Sequence, residues 1–122
     1  MLTRALKFHM LFPGILLLLS ACGESPTEPD MRGPNEIWFQ NSQVVPSTLV
    51  VTAGTRVVWR NRTDESHGVD SGTFMNPTGQ FALDNIAPNT SDSHVFSTAG
   101  TFKYYCSLHQ TRQSEEGTII VN

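Results

Sequence analysis

The sequence predicts an all-β sandwich over residues 36–122, and three observations support this fold class. From Ile37 onward the apolar residues come in short bursts that are rich in β-branched and aromatic side chains. Gly, Pro and Asn turn signals separate the bursts, and no stretch sustains the i, i+3, i+4 spacing of an amphipathic helix. About seven or eight strands at this spacing are typical of two packed antiparallel sheets.

Each burst is assigned to a strand, and each cluster of turn signals to a connection. The predicted strands are 37–39, 48–52, 56–60, a weaker one at 69–74, 93–96, 101–105 and 118–121. The predicted turns are 53–54, 61–66, 76–79, 87–89 and 99–100. Strand alternation places Phe102, Tyr104 and Cys106 on one face, directed into the core. His94 shares a face with Phe96 but has no second ligand-type residue at metal spacing, so we interpret it as a structural histidine.

The first 22 residues have the character of a secretion signal with a site for lipid attachment. Two basic residues precede an apolar run over residues 11–19, which is too short to span a bilayer. The run ends in Leu-Ser-Ala followed by Cys22, which resembles the lipobox of bacterial lipoproteins. In that interpretation Cys22 becomes a lipidated N-terminus and cannot pair with Cys106. The alternative is an ordinary signal peptide cut nearby, which leaves the two cysteines free to form a disulfide.

These features divide the chain into three parts. Residues 1–21 are predicted to be the lipoprotein signal peptide, residues 22–35 a lipidated N-terminus with a Pro-rich acidic tether, and residues 36–122 a single domain. Lipidation predicts a bacterial cell envelope location, anchored to a membrane on its periplasmic or outer-membrane face. Loss of Arg4 and Lys7 with the signal leaves six basic and eleven acidic residues, a net charge of −5. This charge argues against nucleic acid as a partner.

The residue types around Cys106 indicate a metal site. With Cys22 lipidated, Cys106 is the one remaining thiol of an exported chain, and it lies three residues before His109. His67 follows the polar stretch that leaves the strand 56–60, so a strand end can present it. Two imidazoles and one thiolate are the donors that copper prefers in a trigonal site. The four-ligand and paired-cysteine patterns of zinc sites are missing from the sequence.

Four blocks of the sequence occur in an order that resembles the cupredoxins, in particular the plastocyanin, pseudoazurin and amicyanin branch. The blocks are Pro46-x-x-Leu-x-Val-x-x-Gly54-x-x-Val-x-Trp-x-Asn61, then His67, then Gly100-x-Phe-x-Tyr-x-Cys106-x-x-His109, then Gly117-x-Ile-x-Val121. The resemblance implies a Greek-key β-sandwich with one type 1 copper ion at one end, held by His67, Cys106 and His109. It also implies a monomeric one-electron carrier whose redox protein partner docks near His109.

The sequence departs from the family pattern at the axial position. Relatives usually carry a methionine two residues before the glycine that opens the last strand, and this chain has Glu115 there. Gln113 is a second candidate, since glutamine is an accepted axial donor, and a site without a side-chain axial ligand is a third. Glu115 and Glu116 could also be hydrated loop acids. A hard oxygen donor would favour Cu(II) and lower the reduction potential.

A second departure concerns the residues that flank the two histidines. Relatives often follow the first histidine with an asparagine that braces the ligand loops, whereas Gly68 offers only a backbone N–H. The residue before His109 is Leu108 where relatives often have proline, so its N–H can reach the Cys106 sulfur and raise the potential. Leu108 is either part of a docking surface or packed under the site.

Two other classes of function remain beside the electron carrier. A copper storage, delivery or sensing protein would use the same ligands with a more labile metal. An enzyme is not expected, because the sequence holds no Ser-His-acid set, no paired buried carboxylates and no phosphate loop.

Overall fold

The computed structural model describes residues 30–122, and within this range the regular structure is nine β-strands and one short 3-10 helix. The strands are β1 (Glu36–Gln40), β2 (Gln43–Val45), β3 (Thr48–Val51), β4 (Thr55–Asn61), β5 (His67–Thr73), β6 (Asn76–Ile86), β7 (Ser91–Phe96), β8 (Gly100–Tyr105) and β9 (Gly117–Val121). The 3-10 helix is Gln113–Glu115. No helix within residues 30–122 combines the length and hydrophobicity needed to cross a bilayer.

The strands form two sheets that pack into a sandwich, as the sequence predicts. One sheet has the order β2-β1-β4-β7 and the other the order β3-β9-β8-β5-β6. The pairs β1–β4 and β3–β9 are parallel and the remaining pairs are antiparallel. The expectation of two antiparallel sheets is therefore wrong for these two pairs. In each pair, the chain passes through the other sheet before it returns to form the second strand.

Two strands escape the sequence analysis, and one predicted turn is wrong. The predicted turn at 76–79 lies inside β6, which forms the edge of the five-stranded sheet and pairs with β5 alone. On an edge strand the missing N–H of Pro77 need not break a ladder hydrogen bond. Gly79 has a φ of +67° and lies in residues 78–81, which interrupt the ladder where the pairing jumps from Asp70–Ala82 to Gly72–Pro77. The turn-type residues are therefore accommodated at a β-bulge between two paired stretches of the same strand. The short strand β2 has too few residues to show alternation.

The hydrophobic core lies between the sheets. Trp59 of β4 is fully buried, and the ring of Tyr104 in β8 meets it edge-on with the two centroids 5.4 Å apart. Tyr104 and Cys106 are each 1% exposed, and Phe102 packs against the core from its margin. The predicted inward face of β8 is confirmed. Tyr105 points the opposite way and is also buried.

The topology brings three chain segments together at one end of the five-stranded sheet. β5 begins at His67, and its antiparallel neighbour β8 ends one residue before Cys106. β9 is antiparallel to β8 and begins two residues after Glu115, at the same end. The loop that carries His109 connects β8 to the 3-10 helix. The side chains that the sequence singles out therefore meet at one tip of the sandwich.

Hydrogen bonding to the domain reaches back to residue 33. The Glu36 N–H donates to the Gly33 carbonyl at 3.2 Å, and the Val58 N–H donates to the Asn35 carbonyl at 3.0 Å. The predicted signal peptide and Cys22 lie outside the described residues, so the lipoprotein interpretation stays a prediction.

Candidate metal centre

Four side chains converge at this tip. His67, Cys106, His109 and Glu115 each offer one ligand-type atom, and these atoms all lie within 4.8 Å of one another. The Cys106 sulfur lies 3.8 Å from Nδ1 of His67 and 3.5 Å from Nδ1 of His109. Within residues 30–122, no other group of three or more His, Cys, Asp or Glu side chains meets at metal-ligand spacing. The structure thus brings together the three histidine and cysteine residues that the sequence singled out.

A chain of hydrogen bonds sets the tautomer of His67. The Asn61 amide donates to the carbonyls of Glu65 at 2.6 Å and Ile86 at 2.9 Å, so its Oδ1 faces Thr63. The Thr63 hydroxyl donates to that oxygen at 2.7 Å and can then accept a hydrogen bond from Nε2 of His67, 2.8 Å away. The proton therefore sits on Nε2, and the lone pair of Nδ1 is left for the cluster.

Packing fixes the plane of the same imidazole. The Phe39 ring stacks on His67 with centroids 4.2 Å apart and an interplanar angle of 10°. His67 is 1% exposed, and this burial lowers its pKa despite the nearby carboxylate of Glu115. The neutral form that a metal requires is thus favoured.

Two backbone donors approach the Cys106 sulfur. Burial raises the pKa of the Cys106 thiol, while the N–H groups of Gly68 and Leu108 hydrogen-bond to the sulfur and oppose that rise. The Leu108 donor is the one that the sequence suggested. A β-carbon at Gly68 would lie 2.1 Å from the Ser107 hydroxyl, so glycine is required for this close approach unless Ser107 moves.

Glu115 is a fully buried carboxylate whose two oxygens have different surroundings. Its Oε2 lies 2.9 Å from Nδ1 of His109 and 3.4 Å from Nδ1 of His67, and its Oε1 accepts a hydrogen bond from Arg112 at 2.7 Å. Burial acts to raise the pKa of Glu115, but hydrogen bonds from Arg112 and the Cys106 thiol outweigh it and hold the pKa below its usual range. The interpretation of Glu115 as a hydrated loop acid is therefore wrong.

The other residues weighed around the site lie at the surface. Gln113 is exposed and lines a polar surface groove that also includes Ser47 and Lys103. Leu108 is 51% exposed next to His109, whose side chain is 20% exposed. Leu108 therefore forms part of the surface at this tip and is not packed beneath the cluster.

The sequence analysis did not single out several supporting residues. Thr63 and Arg112 are polar residues in loops, and nothing local distinguishes them from hydrated ones. Glu65 pairs with Arg112 at 3.0 Å, and its carboxylate lies 3.7 Å from Nε2 of His109. The supporting role of Asn61 could have been predicted from the sequence, because a polar residue at the end of the buried strand β4 needs hydrogen-bond partners.

The donor set fits copper. Donor atoms about 2.0–2.3 Å from one ion and spread in a plane lie roughly 3.5–4 Å apart, using the bond lengths typical of imidazole and thiolate ligands. The separations of the Cys106 sulfur from the two Nδ1 atoms, 3.8 and 3.5 Å, fall in this range. Two imidazoles, one thiolate and a fourth weaker donor define a type 1 copper centre. A β-sandwich that carries this set at one tip is a cupredoxin by architecture.

Comparison with known proteins leads to the same class. A plastocyanin from Scenedesmus fuscus is 35% identical to this chain over an 82-residue alignment, and the match covers 62% of this chain and 83% of that protein. No family model matches the chain. The chain belongs to the cupredoxin family as a relative of plastocyanin, and its cofactor is one copper ion.

Solved structures agree with this assignment. The purple cupredoxin from Nitrosopumilus maritimus has a TM-score of 0.62 and 25% identity, over 71% of this chain and 98% of that chain. Amicyanin from Paracoccus versutus has a TM-score of 0.60 and 20% identity, over 71% of this chain and 79% of that chain. At that identity the amicyanin comparison supports the fold alone.

Proposed function

We propose that this protein is an envelope-anchored one-electron carrier with His67, Cys106 and His109 as copper ligands and Glu115 in the axial position. The observation that carries the proposal is the convergence of these four side chains within 4.8 Å at the tip of the sandwich. When bound, copper supplies a one-electron couple between Cu(I) and Cu(II).

The surroundings of the ligands suit electron transfer. Copper prefers different geometries in its two oxidation states, so a site that cannot rearrange keeps the cost of switching small. His67 is held by Phe39 and by the Thr63 hydroxyl, and Cys106 by two backbone N–H groups. These contacts limit the movement of both ligands.

His109 gives the site its contact with the exterior. Its side chain is 20% exposed, while His67 and Cys106 are each 1% exposed. Leu108 provides an apolar surface beside it, 51% exposed. A redox protein partner that docks on this surface comes close to the copper ligands, and we place electron exchange there.

Glu115 is the better supported of the two axial candidates. Its Oε2 faces both imidazoles, whereas Gln113 is exposed. An ionised carboxylate is harder than the thioether of methionine and favours Cu(II), so we expect a potential below that of methionine-bearing relatives. A closely bound carboxylate also shifts the colour from blue toward green or red.

The anchoring part of the proposal rests on the sequence alone. Lipidation of Cys22 would attach the protein to a membrane of the bacterial envelope, facing the periplasm or the outside, with residues 23–35 as the connecting segment.

Absorption spectroscopy tests the proposed copper site. We expect the copper-loaded chain to show an intense thiolate-to-copper band that is absent from Cys106→Ser, because the band requires the sulfur as a ligand. Voltammetry then separates two functions. A reversible one-electron wave supports the carrier, whereas labile copper without such a wave would instead indicate storage, delivery or sensing. A copper-loaded chain without the thiolate band would contradict the proposal.

A further inference from the structure

Arg112 joins two carboxylates at the edge of the candidate metal centre. Its Nη1 donates to Oε1 of Glu115 at 2.7 Å and to Oε2 of Glu65 at 3.0 Å. The three side chains differ in exposure, with Glu115 at 0%, Arg112 at 31% and Glu65 at 51%. The guanidinium thus connects a buried acid beside the imidazoles to a surface acid in the loop before His67.

The contact with Arg112 distinguishes the two oxygens of Glu115. Oε1 is occupied by the guanidinium, and Oε2 lies 2.9 Å from Nδ1 of His109 and 3.4 Å from Nδ1 of His67. A carboxylate without such a contact can rotate, or present both oxygens to an ion. With Oε1 held by a planar, permanently charged donor group, one oxygen remains for the cluster.

Backbone hydrogen bonds place Arg112 where its side chain can hold Oε1 of Glu115. The Arg112 N–H donates to the His109 carbonyl at 2.9 Å, and the Glu115 N–H donates to the Arg112 carbonyl at 3.0 Å. Two successive turns therefore link His109, Arg112 and Glu115. The side chain of Arg112 then reaches Glu65, 47 residues earlier in the chain, in the loop between β4 and β5.

The electrostatics require such a partner. An ionised carboxylate with no exposed surface is strongly disfavoured unless a hydrogen-bonded charge compensates it. Among residues 30–122, Arg112 is the cationic Lys or Arg side chain that forms an ion pair with Glu115. In other metalloproteins, metal affinity depends on groups that orient the ligands without contacting the metal.

We propose that Arg112 is a positioning residue for the copper site. It holds Glu115 through Oε1 so that Oε2 alone faces the imidazoles, and through Glu65 it ties Glu115 to the loop that precedes His67. This inference rests on the proposed function, because it assigns Oε2 of Glu115 to the axial position.

The first test compares Arg112→Gln with Arg62→Gln in the copper-loaded chain. Both remove one positive charge, but Arg62 lies over the Trp38 ring and does not contact Glu115. We expect Arg112→Gln to lose about tenfold or more in copper affinity, the range for residues that orient metal ligands. We also expect changed copper hyperfine splitting in the electron paramagnetic resonance spectrum. Arg62→Gln should match the unmodified chain, and equal behaviour of the two variants would overturn the proposal.

Two further variants separate positioning from charge and from misfolding. In a Glu115→Gln background, Arg112→Gln should add little to the spectral change, since its effect passes through Glu115. An undiminished effect in that background would indicate a simple charge effect and overturn the proposal. Glu65→Gln changes a side chain that is 51% exposed, so the fold should persist. It should shift the spectrum in the same direction as Arg112→Gln but less, and a shift in the opposite direction would also count against positioning.

A crystal structure of metal-free Arg112→Gln provides a readout that does not depend on copper. Oε2 of Glu115 should leave its position 2.9 Å from Nδ1 of His109. If it stays there, Arg112 does not position it. Absence of the thiolate-to-copper band from the unmodified chain would refute the proposed function, but this structural comparison would still decide the role of Arg112.

Discussion

At the scale of single residues, Glu115 is the feature that sets this copper site apart. It stands where the resemblance to the cupredoxins implies a methionine, it is fully buried, and its Oε2 faces both imidazoles. Which metal the site prefers depends on the two histidines and the cysteine. The fourth donor tunes the relative stability of Cu(I) and Cu(II), and so the reduction potential. The identity of residue 115 should therefore control the potential more than the fold does.

Glu115→Met should raise the reduction potential. The substitution replaces an ionised oxygen donor, which favours Cu(II), by a neutral soft sulfur. A charge-assisted contact of about 1.5–3 kcal/mol corresponds to roughly 60–130 mV at 59 mV per tenfold change for one electron. Redox titration of the copper-loaded variant measures the shift, with Glu116→Met as the neighbouring control. An unchanged or lower potential in Glu115→Met would show that Glu115 is not the axial donor.

At the scale of elements, the antiparallel series β5–β8–β9 builds the site. The start of β5, the end of β8 and the approach to β9 are adjacent, so three short segments deliver all four side chains. The β8–β9 contact is unusually close at one register position, where Tyr104 lies opposite Gly117. A β-carbon at Gly117 would lie 2.2 Å from the Tyr104 hydroxyl oxygen and 2.3 Å from its Cζ.

Gly117→Ala should destabilise the domain. The added methyl group meets a buried aromatic ring that is packed against Trp59, and overpacking of this kind costs about 1–3 kcal/mol. Tyr104→Phe should not rescue the variant, because the ring carbon Cζ remains in the way. Chemical denaturation of the metal-free protein measures the loss, with Thr118→Ala in the same strand as control. A Gly117→Ala domain as stable as the Thr118→Ala control would show that β8 and β9 can separate at this point without cost.

At the scale of the whole molecule, the proposed lipidation of Cys22 would attach the copper domain to a membrane surface. The structure describes residues 30–122, with Met31–Asn122 as one compact unit, and the proposed anchoring segment precedes it in the sequence. Several acyl chains on one cysteine give lasting attachment, whereas a single chain gives only reversible binding. If Cys22 is lipidated as proposed, membrane attachment depends on one residue that has no part in the copper site.

Cys22→Ser should release the protein from the membrane fraction. Serine cannot accept the thioether-linked lipid, so the variant loses its anchor and should be recovered without detergent or remain unprocessed as a precursor. Fractionation of cells that express each form, followed by mass measurement of the N-terminus, checks this. Cys106→Ser is the matched control and should stay with the membrane. A mature Cys22→Ser chain that stays membrane-bound after a salt wash would contradict lipid anchoring.

The sequence by itself determined the fold class and brought His67, Cys106 and His109 forward as a set. Both conclusions depend on local information. Alternation of apolar residues indicates strands, and the spacing of Cys106 and His109 indicates a loop that can carry two ligands. Because this information is local, the sequence analysis predicted a turn at residues 76–79, inside strand β6. The turn-type residues around Pro77 and Gly79 are tolerated because β6 is a sheet edge, and edge position is a property of the whole sheet.

Only the tertiary structure distinguishes the two side-chain candidates for the axial position, because Glu115 is fully buried and Gln113 is exposed. In the sequence Glu115 is one of two adjacent acids, which are usually hydrated, and Gln113 has an equally acceptable spacing. Burial of Glu115 depends on Arg112 and on the imidazole of His67, and Arg112 is held in turn by Glu65, 47 residues away. A buried charge is stable only where partners from distant segments converge, and such convergence has no local signature in the sequence.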